Sequence, residues 1–136
     1  MKKYILILLS VVAVGLSSCK KDTIITESAN RSIVVDIAPT SWAPSSDGLY
    51  YSTRIDVPEN NANFNQIGHV AASIAFDNPD VYEALPQTFE GVSYTYTSSP
   101  GQVILYINSV NNNVRPARPT GITTVKIVLI DAVPIN

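Results

Sequence analysis

The sequence predicts an all-β fold, a small antiparallel β-sandwich of Ig-like size with about seven strands, set behind an N-terminal signal helix. Three observations predict it. Alternation of apolar and polar residues with period two recurs in short segments along the body of the chain. Clusters of Pro, Gly, Asn and Asp punctuate those segments. No helical period continues past residue 18. A partly open barrel is the alternative closure for the same strands.

The N-terminal segment is of a different kind. Lys2 and Lys3 precede an apolar run from Tyr4 to Leu16, broken only by Ser10 and Gly15. A basic start, a short apolar core and a small-residue cleavage site define a secretory signal. The run is shorter than the roughly 20 apolar residues that span a bilayer. It ends in Leu16-Ser17-Ser18-Cys19, which resembles the lipobox of bacterial lipoproteins. There the thiol is alkylated with diacylglycerol and the peptide bond before it is cut. Cys19 is the only cysteine among the 136 residues, so neither an internal disulfide nor a cysteine-ligated zinc site is available. The expected organisation is a signal peptide over 1–18, a lipidated tether over 19–31 and one domain over 32–136. The tether carries neither Gly nor Pro, so a first strand is also expected near Thr23–Thr26.

The strands of the body follow in order. Ser32–Ile37 is β-branched and apolar, and ends before Pro39, Pro44 and the Asp47-Gly48 turn. Leu49–Val57 sets Tyr51, Thr53, Ile55 and Val57 on one face and Tyr50, Ser52, Arg54 and Asp56 on the other. Pro58 stops it, and the Asn-rich Glu59–Gln66 predicts a short helical turn that tucks Phe64 and Ile67 inward. His69–Phe76 turns Val70, Ala72, Ile74 and Phe76 to one face, and Asp77-Asn78-Pro79-Asp80 is a strong turn signal. Val81–Leu85 is a short strand closed by Pro86. Val92–Thr97 alternates Val92, Tyr94 and Tyr96 with Ser93, Thr95 and Thr97. Ser98-Ser99-Pro100-Gly101 forms a hairpin loop into Val103–Asn108, and a long polar loop runs from Ser109 to Gly121. The final strand, Ile122–Ile130, is greasy on both faces, which predicts a central place in its sheet.

The body is similar to a group of small uncharacterised lipoproteins of Bacteroidota. The matching features are Trp42 ahead of Tyr50-Tyr51, Ile55-Asp56-Val57-Pro58, Gly68-His69-Val70, Leu85-Pro86, Tyr94-Thr95-Tyr96, Gly101-Gln102-Val103 and the closing Val125–Ile130. The Cys19-Lys20-Lys21-Asp22 start has the same look. The group's Trp shortly before the Leu-Pro step is replaced here by Tyr82. The resemblance implies a β fold and an envelope location, and transfers no catalytic residue.

Charge narrows the partners. Removing Lys2 and Lys3 from the 9 basic side chains leaves 7 against 11 acidic ones, a net of −4. A mildly acidic body argues against a nucleic-acid surface. His69, the single histidine, stands at a strand start with no Gly-x-Ser-x-Gly or other nucleophile motif, and a solvated strand end explains it. Asp77, Asp80 and Glu83 offer oxygen ligands that calcium uses, but they lack the EF-hand loop pattern and fit turn chemistry. Trp42, Tyr50, Tyr51, Tyr94 and Tyr96 form the candidate ligand surface; cross-strand packing is the competing account of the same aromatics. Arg115-Pro116-Ala117-Arg118-Pro119 is a basic loop that an anionic lipid or sugar would suit, but its two positive charges fit better a crossover loop held extended by Pro. The expected protein is therefore a non-enzymatic envelope lipoprotein that binds or assembles. It sits on a membrane, the outer membrane, through lipid at Cys19, with a glycan or protein partner and no metal or cofactor. A purely structural envelope component is the alternative, and a hydrolase built on His69 the weaker one.

Overall fold

The alternating segments are strands, and their apolar faces meet. The computed structural model describes residues 30–111 and 113–135, so the expected signal peptide, Cys19 and the strand expected near Thr23–Thr26 lie outside the described residues. The strands are β1 (Arg31–Ile37), β2 (Ala43–Pro44), β3 (Tyr50–Val57), β4 (His69–Ala75), β5 (Glu83–Ala84), β6 (Gln87–Phe89), β7 (Val92–Ser99), β8 (Gly101–Ser109) and β9 (Thr123–Ile130). One sheet has the order β1-β9-β4-β5, the other β2-β3-β8-β7-β6, and every pairing is antiparallel. The fold is a small all-β sandwich of nine strands.

The core forms where the inner faces meet. Ile55 and Val57 of β3 and Val103, Leu105 and Ile107 of β8 come from one sheet. Val70, Ala72 and Ile74 of β4 and Val125, Ile127 and Leu129 of β9 come from the other. All are buried, and each larger aliphatic side chain removed from water stabilises the fold by about 1.5–3 kcal/mol. With no disulfide among these residues, that burial holds the sheets together. β9 lies between β1 and β4, the central place its two apolar faces predict.

The strand count exceeds the expected seven because β2 and β6, two and three residues long, carry too little alternation to register as strands. They form only by pairing with β3 and β7. β5 is shorter than Val81–Leu85, since Val81 instead closes the preceding turn on the Asn78 carbonyl. The helical turn is α1 (Ala62–Ile67), capped by the Asn61 side chain, which accepts from the Phe64 N–H at 3.0 Å. Phe64 is buried as expected, but Ile67 is exposed, because so short a helix turns only one narrow stripe inward.

The two ends of the sandwich differ. At one end lie Asn30, Arg31, His69 and α1, where buried Asn60 ties the β7–β8 hairpin by donating to the Ser99 carbonyl at 2.8 Å. At the other end lie the β2–β3 turn, the β4–β5 turn, the β6–β7 hairpin and the start of β9. The loop after β8 is pinned there by Arg115, whose Nε donates to the Gly48 carbonyl at 3.1 Å. β1 runs from the first end, with Arg31 opposite Leu129, to the second, with Ile37 opposite Thr123. At ~3.4 Å per residue this seven-residue strand separates the ends by about 20 Å.

Candidate functional site

The five aromatics expected to share a ligand surface do not share one. Trp42 follows a 3₁₀ turn over Pro39–Ser41 that swings the chain between sheets, and its ring is enclosed in the core at 1% exposure. Its indole Nε1–H has no partner among the described residues. Tyr51 and Tyr96 face inward and pack on the core. Tyr50 lies on the outer face of its sheet, edge-on to Tyr106 at 5.9 Å between ring centroids. Packing therefore accounts for Trp42, Tyr51 and Tyr96, and period two alone separates Tyr50 from Tyr51.

Tyr94 packs on the core as Tyr51 and Tyr96 do, but it also lines a cleft of about 430 Å³ at the second end of the sandwich. Phe76, Phe89 and Tyr94 line it together with Arg118, Thr120 and Ile122 from the loop before β9. Tyr94 stands edge-on to Phe76 at 4.9 Å, and Phe76 and Phe89 are stacked with centroids 6.2 Å apart. A smaller slot of about 230 Å³ shares Phe76, Asp77 and Phe89 with the cleft and is lined also by Val81 and Glu83. Phe89, Val81 and Ile122 are exposed at 49%, 56% and 61%, so the apolar lining is open to solvent.

Local chemistry explains why these groups converge. Phe76 continues the inward face of β4 past the last paired residue. Phe89 and Val92 flank a tight two-residue turn whose Glu90 and Gly91 both take positive φ, 48° and 78°. That turn holds the Glu90 carboxylate at the cleft mouth. Burial raises the Tyr94 hydroxyl above its ordinary pKa, and the carboxylates of Glu90 and Glu83 push it the same way. The field in the cleft is therefore negative on this side.

Among the described residues the one ion pair is Arg54–Asp56 at 2.9 Å, on an exposed sheet face. Asp77, Glu83, Glu90 and Arg118 thus border the cleft without ion-pair partners among the described residues. No group of three or more His, Cys, Asp or Glu side chains converges to hold a metal ion among the described residues. Asp80 instead takes part in the turn, its N–H donating to Asn78 Oδ1 at 3.0 Å. His69 is exposed at the start of β4, at the end away from the cleft. Phe76, Phe89 and Arg118 were not among the expected site residues. The Phe89-Glu90-Gly91-Val92 step carried the signal, an apolar pair around a turn with φ > 0.

No family model matches this chain, and neither does any curated protein or solved structure. No helix among the described residues is long and apolar enough to cross a membrane.

Proposed function

We propose that this chain is a membrane-anchored envelope lipoprotein whose sandwich is a non-enzymatic binding module, held at the outer membrane by diacylglycerol on Cys19. The observation that carries the reading is Leu16-Ser17-Ser18-Cys19 at the end of a short apolar run, with the chain's sole cysteine at the position that lipid attachment requires. Diacylglycerol supplies two acyl chains, and each buried CH₂ adds about 0.8 kcal/mol, which meets the requirement for stable anchoring. The chain enters the sandwich at Asn30, and the cleft opens at the far end. That separation supports a module that presents its ligand site away from its attachment point.

Labelled fatty acid supplied to cells expressing the full chain tests the anchor. The wild type carries the label and migrates as a processed form. Cys19→Ser stays unprocessed and unlabelled. Acylation of the variant would overturn the reading. Purified mature protein on peptide and glycan arrays tests the binding half, and a blank on both counts against a binding module.

A further inference from the structure

We propose that the cleft at the far end of the sandwich docks a basic peptide segment of a partner protein, with one Lys or Arg side chain lodged against Phe76 and Phe89 between Asp77 and Glu83. The proposal rests on the binding-module reading and deepens it. Three features of the cleft argue for this occupant together.

The first is shape and lining. A pocket of about 430 Å³ falls within the roughly 300–1,000 Å³ of sites that take a compact ligand or a few peptide residues. The smaller slot offers two stacked rings, and an ammonium or guanidinium within about 6 Å of a ring centroid is drawn to its negative face. The same kind of contact is made twice among the described residues, where Lys126 Nζ sits 3.9 Å from the centroid of Tyr82 and the Arg31 guanidinium 5.9 Å from that of Phe64.

The second is charge complementarity. The slot is bordered by Asp77 and Glu83 and by no basic residue. Glu90 adds a third carboxylate at the wider part, where Arg118 is the only cation. None of the four has an ion-pair partner among the described residues, so the net negative charge is open to an incoming cation. Arg118 lines the larger cleft and not the slot, so it suits the carbonyl groups or an acidic neighbour of the same peptide.

The third is backbone. β6 is the last strand of its sheet, paired only with β7, and Thr88 and Phe89 on it are exposed. An unpaired strand edge beside a side-chain pocket is the arrangement by which sheets take up extended peptides. A free amine does not use that edge, which is why the proposal commits to a peptide.

The test uses the full lipidated chain in detergent micelles and dye-labelled pentapeptides Ser-Val-Lys-Val-Ser, Ser-Val-Met-Val-Ser and Ser-Val-Glu-Val-Ser, read by fluorescence anisotropy. The Lys peptide is expected to bind about tenfold tighter than the Met peptide, and the Glu peptide weakest. The double variant Asp77→Asn, Glu83→Gln should erase the Lys preference, and Phe89→Ala should weaken the Lys peptide by a similar factor. Arg118→Ala should leave the Lys preference intact. Circular dichroism checks that each variant keeps its sheet content. Equal binding of Lys and Met peptides, tighter binding of the Glu peptide, a Lys preference that survives the double variant, or no binding by any peptide would each overturn the proposal. Displacement of the Lys peptide by n-butylammonium at equal concentration would overturn the strand-edge part. Acylation at Cys19 is read separately, so failure here leaves the anchor standing.

Discussion

The Tyr96 hydroxyl donates a 2.7 Å hydrogen bond to the Val70 carbonyl, and the two residues belong to opposite sheets. It is a polar tie through a largely apolar interface. Removing the donor alone leaves the carbonyl short of a partner in a half-dry site, so Tyr96→Phe should lower stability by about 1 kcal/mol. Tyr106 is the control. Its hydroxyl sits on the outer face, 3.5 Å from Thr97 Oγ1, a distance at which little is gained. Tyr106→Phe should change stability by less than about 0.5 kcal/mol. Urea midpoints with unchanged slope would measure both; equal effects would mean that the Tyr96 bond does not join the sheets energetically.

Gly68 needs its missing side chain for space. Its φ of −86° is open to any residue, but an added Cβ would stand 2.6 Å from two ring atoms of Phe64. Phe64 is buried and anchors α1 against the sheets. Gly68→Ala must therefore displace a packed ring, at a cost of about 1–3 kcal/mol. Phe64→Leu alone should also destabilise, yet it makes room for the methyl. The double variant should thus be less damaged than the sum of the singles by about 0.5–3 kcal/mol. Additive thermal shifts would show that the clash is relieved elsewhere.

The sandwich was legible because β3, β4, β7, β8 and β9 each carry several alternations, and a face shared by Val125, Ile127 and Leu129 has nowhere to go but inward. β2 and β6 were not legible, since two or three residues hold no period and become strands only through their neighbours. The aromatic set misled in a specific way. Residue type marks Trp42 and Tyr96 as sticky, but only the topology decides that the partner is the molecule's own core. The cleft was hidden for the complementary reason. Phe76, Phe89 and Arg118 come from three separate segments, and it is the β4–β9 and β6–β7 pairings that gather them.

Trp42 is the chain's only tryptophan, so its fluorescence reports on one place in the core. Folded protein should emit at short wavelength and resist acrylamide quenching, and both properties should be lost in a single unfolding transition. Trp42→Ala should cost about 3–5 kcal/mol through the cavity it leaves. Trp42→Phe should cost much less, because it shortens the ring while removing an indole N–H that has no partner among the described residues. Comparable losses for Phe and Ala would show that the N–H, and not the ring, is what the site needs.

Tyr94 gives the cleft a pH signature. Burial disfavours its phenolate, and Glu90 and Glu83 add like-charge repulsion, so its folded pKa lies above the ordinary value of 10.0. A raised folded pKa means that the unfolded chain releases this proton first as pH climbs. The stability linked to Tyr94 is therefore complete below pH 10 and is lost as pH rises through the folded value. Tyrosinate absorbance of the native protein should show a late-titrating component that Tyr94→Phe deletes. In the same variant, the fall of stability above about pH 10 should become shallower. Glu90→Gln should move the late component down but not back to the ordinary value, because burial is the larger cause and stays in place. A late component untouched by Tyr94→Phe would assign the raised group to another residue and remove the evidence for a negative field in the cleft.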